Sequence, residues 1–325
     1  MIRWFNTRAA VLSWPAPSAT DRMSTLTDAT RAELLLDARN ATGESPVWHA
    51  AEQALYWVDI PARKLCRWEA ATGRTSHWLA PEMLACIAPR GTQSGWVAGM
   101  ETGVFELQPH DGGRLDVRLL AGVRHAQAGM RFNDGRCDRQ GRFLAGTMVL
   151  DMALGSRAGC LYSHEKNGEL RNLLSGFITP NGLAFSPDGR TMYLSDSHPS
   201  VQTIWAFDYD TDTGTPTNQR VFVDMKPLPG RPDGAAVDEE GCYWICGNDA
   251  GLVHRFTPAG KLDRSIAVPA AKPSMCCFGG ARMDQLFIAS ITPAQPIAGY
   301  EPALAGAVFV AHPGVRGIAE TPFSQ

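Results

Sequence analysis

TPNGLAFSPDGRTMYLSDS, residues 179–197, is a complete two-strand unit with a polar residue at its mouth. Leu183-Ala184-Phe185 reads as a buried strand, and Met192-Tyr193-Leu194 as its return. Between them Pro187-Asp188-Gly189 is a tight turn, in which Gly supplies the positive φ that closure needs. A strand that leaves and comes back places Asn181 and the segment Asp196-Ser197-His198 at the same end of a sheet.

The same design recurs along the chain. Return strands centre on Trp57, Trp96, Phe143, Tyr193, Trp244 and Phe287, at intervals of roughly 40–50 residues, the repeat length of a propeller blade. Six repeats predict an all-β, six-bladed β-propeller. About a dozen residues before each return strand, blade one carries Glu44, blade three Asn133-Asp134, blade four Asn181 and blade five Asp233, whereas blade two offers Leu84-Ala85 and blade six Cys276-Cys277. The first strand of every blade lines the central channel, so equivalent positions converge on the axis. Four of the six blades thus aim oxygen atoms at one place.

The chain has 325 residues, 44% hydrophobic and 19% charged, with a net charge of −3 and no run of Lys or Arg. It can bury a large core, and nucleic acid and membranes are not expected partners. Eight cysteines show no CxxC pair and no framework spacing, which reads as reduced core thiols of a cytoplasmic protein. Residues 1–30 differ in character. Arg3 and Arg8, the short apolar run before Pro15 and the absence of an acidic residue before Asp21 read as a flexible leader or an over-extended start, with Met23 as an alternative initiator. Residues 31–325 are expected to form one propeller domain, a monomer or weak homo-oligomer.

Around the blades, Ala32–Ala38 is expected to be a strand that pairs with the C-terminal run Gly306–Ala311 and removes an open edge. An insertion, Val149–Ala158, separates the second and third strands of blade three at the ligand end of the sheet. No segment is long and periodic enough to demand a helix.

Glu44, Asn181 and Asp233 together offer two carboxylates and an amide oxygen, a donor set for a hard divalent cation in the central channel. Any one Asn or Asp before Gly is an ordinary turn former. Repeat equivalence shifts the balance, because paired carboxylates on one axis repel without a cation between them. Arg131 and Asn133 are candidates to bind substrate hydroxyl or carbonyl oxygens, the competing reading of Arg131 being a surface ion pair. Asp151, on the insertion, either caps the pocket or is solvated. His198, Asn248 and Asp249 share the ligand-bearing face, and His198 is a further substrate-contact candidate against a structural or solvated alternative. GxSxG, P-loop, HExxH and strand-borne GxGxxG patterns are all missing from the sequence. A metal with open coordination positions fits hydrolysis of a carbonyl compound.

GESPVWHAAEQALYWVDI, RFNDGRCDRQGRFLAGTM, TPNGLAFSPDGRTMYLSDS, RPDGAAVDEEGCYWICGND and CCFGG together resemble the family of gluconolactonase, regucalcin and senescence marker protein, over roughly residues 33–312. The resemblance implies a six-bladed propeller with metal ligands at Glu44, Asn181 and Asp233 and substrate contacts at Arg131 and Asn133. A family acidic residue on the blade-three insertion falls near Asp151, where VLDMALGSRAG departs from the regucalcin type and is closer to bacterial sugar lactonases. The implied activity is hydrolysis of an aldonolactone, a small-molecule sugar lactone of the gluconolactone or arabinonolactone kind, to the open sugar acid in carbohydrate catabolism. It would use one divalent ion, Ca²⁺ first and Zn²⁺, Mn²⁺, Mg²⁺ or Fe²⁺ as alternatives, with Asp233 as general base. The alternative is a regucalcin-type calcium-binding regulatory protein.

Overall fold

Alternating apolar positions and glycine turns make each repeat a four-stranded antiparallel meander, and six such sheets make up the molecule. The computed structural model describes residues 31–91 and 94–324, so the expectation for residues 1–30 lies outside it. Among the described residues the only helical pieces are three single turns of 3-10 type, at Asp111–Gly113, Met152–Leu154 and Pro302–Leu304.

The innermost strands are Gly43–His49, Cys86–Pro89, Met130–Cys137, Pro180–Phe185, Arg231–Val237 and Pro273–Gly279. Each packs against the inner strands of the neighbouring blades, which closes a ring around the axis. Return-strand aromatics Trp57, Trp96, Phe143, Tyr193, Trp244 and Phe287 are all buried between blades, where large flat side chains fill the wedge between twisted sheets. Five sheets are built from strands consecutive in sequence. The sixth takes its outer strand from the other end of the chain, Glu33–Leu36 pairing antiparallel with Val308–Ala311. That is the expected closure, and it covers an edge that would otherwise be open to a foreign strand.

A feature absent from the sequence pattern decides where the polar residues point. In five blades the pairing of inner and return strands slips by one residue near its start, between Glu44 and Val47, Phe132 and Gly135, Asn181 and Ala184, Pro232 and Ala235, and Pro273 and Cys276. Each slip is a β-bulge, an extra residue that re-aims its neighbours. Blade two pairs without one. The register also corrects the blade-six equivalence. Asn181 lies three residues before Ala184, the partner of Tyr193, and Asp233 three before Ala236, the partner of Trp244. The same step back from Cys277, the partner of Phe287, reaches Ser274 rather than Cys276-Cys277. Ser274 is buried, and its hydroxyl donates to the Gly43 carbonyl of blade one.

At the opposite end of the channel the chain after blade six runs across the base. Gly317 bridges Asp238 of blade five, Glu320 meets the buried Arg136 of blade three at 3.4 Å, and Phe323 docks on blade two. The Phe323 amide donates to the Pro89 carbonyl at 2.7 Å, and its carbonyl accepts from Gly91 at 2.9 Å.

Candidate active site

The bulges bring Glu44, Arg131, Asn133, Asn181 and Asp233 together at the mouth of the channel. Asn181 and Asp233 are buried, at 5% and 6% exposure, and Glu44 is half-buried. Gly182, after Asn181, adopts φ +63°, a conformation open to Gly at little cost, and so turns the Asn181 side chain onto the axis.

A continuous line of hydrogen bonds orders the group. Arg131 Nη1 donates to Asn133 Oδ1 (2.8 Å) and to the Phe132 carbonyl (2.7 Å). Asn133 Nδ2 donates to Asn181 Oδ1 (2.7 Å) and to the Pro180 carbonyl (3.0 Å). Asn181 Nδ2 then donates to Ser197 Oγ at 2.6 Å, and that hydroxyl donates to the Pro232 carbonyl at 2.5 Å. Three blades are stitched together through side chains. With both amide hydrogens engaged, Asn133 fixes the orientation of Asn181 and Arg131.

The electrostatics concentrate negative charge at the mouth. Burial pushes the Glu44 carboxyl well above the usual carboxylate range, the charges of Asp233 and Asp134 push it further, and Arg131 opposes them. Burial also raises Asp233 to about 7, against a hydrogen bond from Asn248 and the charge of Arg231. Asp134, the next residue after Asn133, is likewise buried. Its Oδ2 accepts from the Leu183 amide at 2.9 Å while Oδ1 has no hydrogen-bond partner among the described residues. Desolvated carboxylates that raise one another's pKa form a pocket short of positive charge. Two carboxylates and an amide oxygen supply hard donors only, so Glu44, Asn181 and Asp233 fit a divalent cation of the Ca²⁺ or Mg²⁺ kind.

Asp151 and His198 lie apart from this cluster, on the rim. Asp151 is exposed and caps the short turn of the insertion, its Oδ1 accepting from the Ala153 amide at 3.1 Å. His198 Nε2 is 3.2 Å from the Met152 carbonyl, so the two expected residues belong to one wall formed by blades three and four. Asn248 of blade five, by contrast, reaches the cluster directly, donating from Nδ2 to Asp233 Oδ2 at 2.5 Å.

One other set of potential ligand atoms, on Asp238, Glu240 and Cys242, lies within 4.8 Å at the base of blade five. Asp238 there accepts from the Glu240 and Cys242 amides, from Trp244 Nε1 and from Arg255. Its charge is matched by a guanidinium and its lone pairs are spent, so the geometry is that of a braced turn. All eight cysteines are unpaired, seven of them buried. No described helix is long and apolar enough to cross a membrane.

Residues 42–292 match the SMP-30/gluconolactonase/LRE-like region. The chain is 37% identical over 288 residues to the 6-deoxy-6-sulfogluconolactonase of Pseudomonas putida, which covers 87% of this chain and 94% of that one. It is 32% identical over 293 residues to the regucalcin of Macaca fascicularis, covering 88% and 96% of the two chains. The solved structure of a calcium-binding protein, regucalcin, from Agrobacterium tumefaciens superposes with a TM-score of 0.82 at 26% identity, over 91% of this chain and 98% of that one.

Proposed function

Because the chain belongs to the SMP-30/gluconolactonase/LRE-like family, we propose that it is a metal-dependent sugar lactonase, which opens the cyclic ester of an aldonic acid by adding water. The observation that carries this reading is the convergence of Glu44, Asn181 and Asp233 beside Arg131 at one channel mouth. The relative named for a sulfogluconolactonase supports the lactone class.

Glu44, Asn181 and Asp233 would hold one divalent ion, Ca²⁺ first. Such an ion, when bound, polarises an ester carbonyl and makes water more acidic. The protein's own residues divide the remaining work. Arg131, oriented by Asn133, hydrogen-bonds the sugar oxygens and offers positive charge where the carbonyl oxygen becomes negative. Asn248 donates to Asp233 Oδ2 and so orients the carboxylate that would accept the proton of the attacking water. Water adds at the carbonyl carbon, the ring C–O bond breaks, and the proton passes to the departing hydroxyl. Asp151 and His198 on the rim would contact the distal part of the sugar.

The test is a pH-indicator hydrolysis assay over γ- and δ-aldonolactones, with chelated protein and added Ca²⁺, Mn²⁺, Mg²⁺, Zn²⁺ or Fe²⁺. Metal-restored turnover is expected, falling by at least about 100-fold in Glu44→Ala and Asp233→Ala. Substantial turnover by Asp233→Ala with metal still bound would remove that residue as the base. A second reading, a regucalcin-type calcium-binding regulator, is favoured by the regucalcin relatives. Tight Ca²⁺ binding with no hydrolysis under any cation would select it.

A further inference from the structure

Lys272, Asp249 and Arg231 extend the polar network beyond Asn248 and lead it back to Asn181. A carboxylate only accepts and an ammonium only donates, so the Asn248 amide can face its neighbours in one way. Nδ2 donates to Asp233 Oδ2 at 2.5 Å, and Oδ1 accepts from Lys272 Nζ at 3.4 Å. Lys272 is held in turn by Asp249 Oδ1, and Asp249 Oδ2 accepts from Arg231 Nε at 2.6 Å. Arg231 Nη1 reaches the Ser197 carbonyl at 3.3 Å, and Ser197 Oγ accepts from Asn181 Nδ2. A path that starts at Asp233 therefore ends at Asn181, passing through blades four, five and six.

Two details show that this circuit is built rather than incidental. Asn248 is buried at 3% exposure, with both ends of its amide occupied. Asp249 adopts φ +76°, a left-handed conformation that is costly for a residue with a Cβ and persists where surrounding contacts hold it. Asp249 lies in the turn closed by the Ala250 amide on the Gly247 carbonyl, and two cations flank its carboxylate. The same two cations matter to Asp249 itself: burial alone would raise its carboxyl, and hydrogen bonds from Lys272 and Arg231 hold it below the ordinary value.

We propose that Asn248 is the positioning residue for Asp233, and that the Lys272–Asp249–Arg231 brace fixes Asn248 so that Asp233 presents its free oxygen, Oδ1, to the channel in register with Asn181. The idea rests on the reading of Glu44, Asn181 and Asp233 as one donor set, and it adds the residues that set the spacing of two of the donors. Supporting partners of this kind are typically worth about 10-fold to 100-fold in metal affinity or activity.

The experiment compares Asn248→Ala and Lys272→Met with the native full-length chain. It measures Ca²⁺ and Mn²⁺ affinity of chelated protein by calorimetry, kcat and KM separately on the best lactone, and the melting temperature without metal. Asn248→Ala is expected to weaken cation binding by about 10-fold or more and lower kcat by a similar factor, with KM changing by less than about 3-fold. Lys272→Met is expected to give the same pattern at smaller size, because it loosens Asn248 without removing it. Unchanged cation affinity and kcat in folded Asn248→Ala would overturn the proposal. Should Asn248→Ala fail to fold, native cation affinity and kcat in Lys272→Met would do the same. If the native protein hydrolyses no lactone but loses cation affinity in both variants, the lactonase reading fails while the positioning role stands.

Discussion

His164 ends a strand of blade three with its imidazole edge-on to Phe323, ring centres 5.6 Å apart, and neither ring nitrogen has a hydrogen-bond partner among the described residues. Burial holds it below the ordinary histidine value, and the carboxylate of Glu165 offsets only part of that. His254 is lowered for the same reason, against a contact from Nε2 to the Pro229 carbonyl at 2.9 Å. A carbonyl only accepts, so Nε2 carries the hydrogen and Nδ1 accepts from Ser265. Folding disfavours protonation of both rings, while the unfolded chain takes up protons below about pH 6.5. Stability should therefore be full above that pH and decline as the pH falls through it. His164→Leu is expected to flatten this decline below about pH 6.5 in urea unfolding followed by tryptophan fluorescence; an unchanged slope would assign the acid sensitivity elsewhere. At this scale the sequence is unevenly legible. Asn181 and Asp233 stand out because each precedes Gly at the same point of a repeat. Asn248 and Lys272 do not declare their partnership, since it depends on which hydrogen of one blade meets which oxygen of the next.

The strand pairs of the blades were readable from alternation and turn glycines, because both follow from local backbone preferences. The bulges were not, because a slip of one residue leaves the apolar pattern of the inner strand almost unchanged and shows only in the pairing. The misplacement of blade six follows from this: without the register, Cys276-Cys277 occupies the position that belongs to Ser274. Gly182 tests how much the bulge matters. At φ +63° an added Cβ would lie 2.4 Å from Tyr243 Oη and 2.9 Å from Ser195 Oγ, and Tyr243 Oη itself donates to the Gly182 carbonyl. Gly182→Ala is expected to cost about 2–3 kcal/mol by urea denaturation and to lower the cation affinity of the folded fraction by turning Asn181 off the axis. Native stability would show that the bulge tolerates a side chain.

The ring as a whole is closed twice, by the strand Glu33–Leu36 in blade six and by the segment that crosses the base. The first closure was legible as an unpaired run at each end of the repeats. The second was not, since Glu320 and Phe323 lie beyond the last repeat and their partners Arg136 and Pro89 lie in blades three and two. Phe323 is 5% exposed and sits in the core of blade two. Phe323→Ala should open a cavity worth about 3–5 kcal/mol, read as a lower melting temperature; an unchanged value would make the crossing segment ornamental to stability.

That base segment also imposes an order on assembly. Blades two and three emerge during synthesis long before Phe323 and Glu320, so the contacts that brace them at the base wait for residues made after blade six. A chain growing from its N-terminus can stack its sheets one after another, but it cannot fasten the early ones until the late ones exist. The finished molecule is locked in reverse, with residues made after blade six gripping blades two and three.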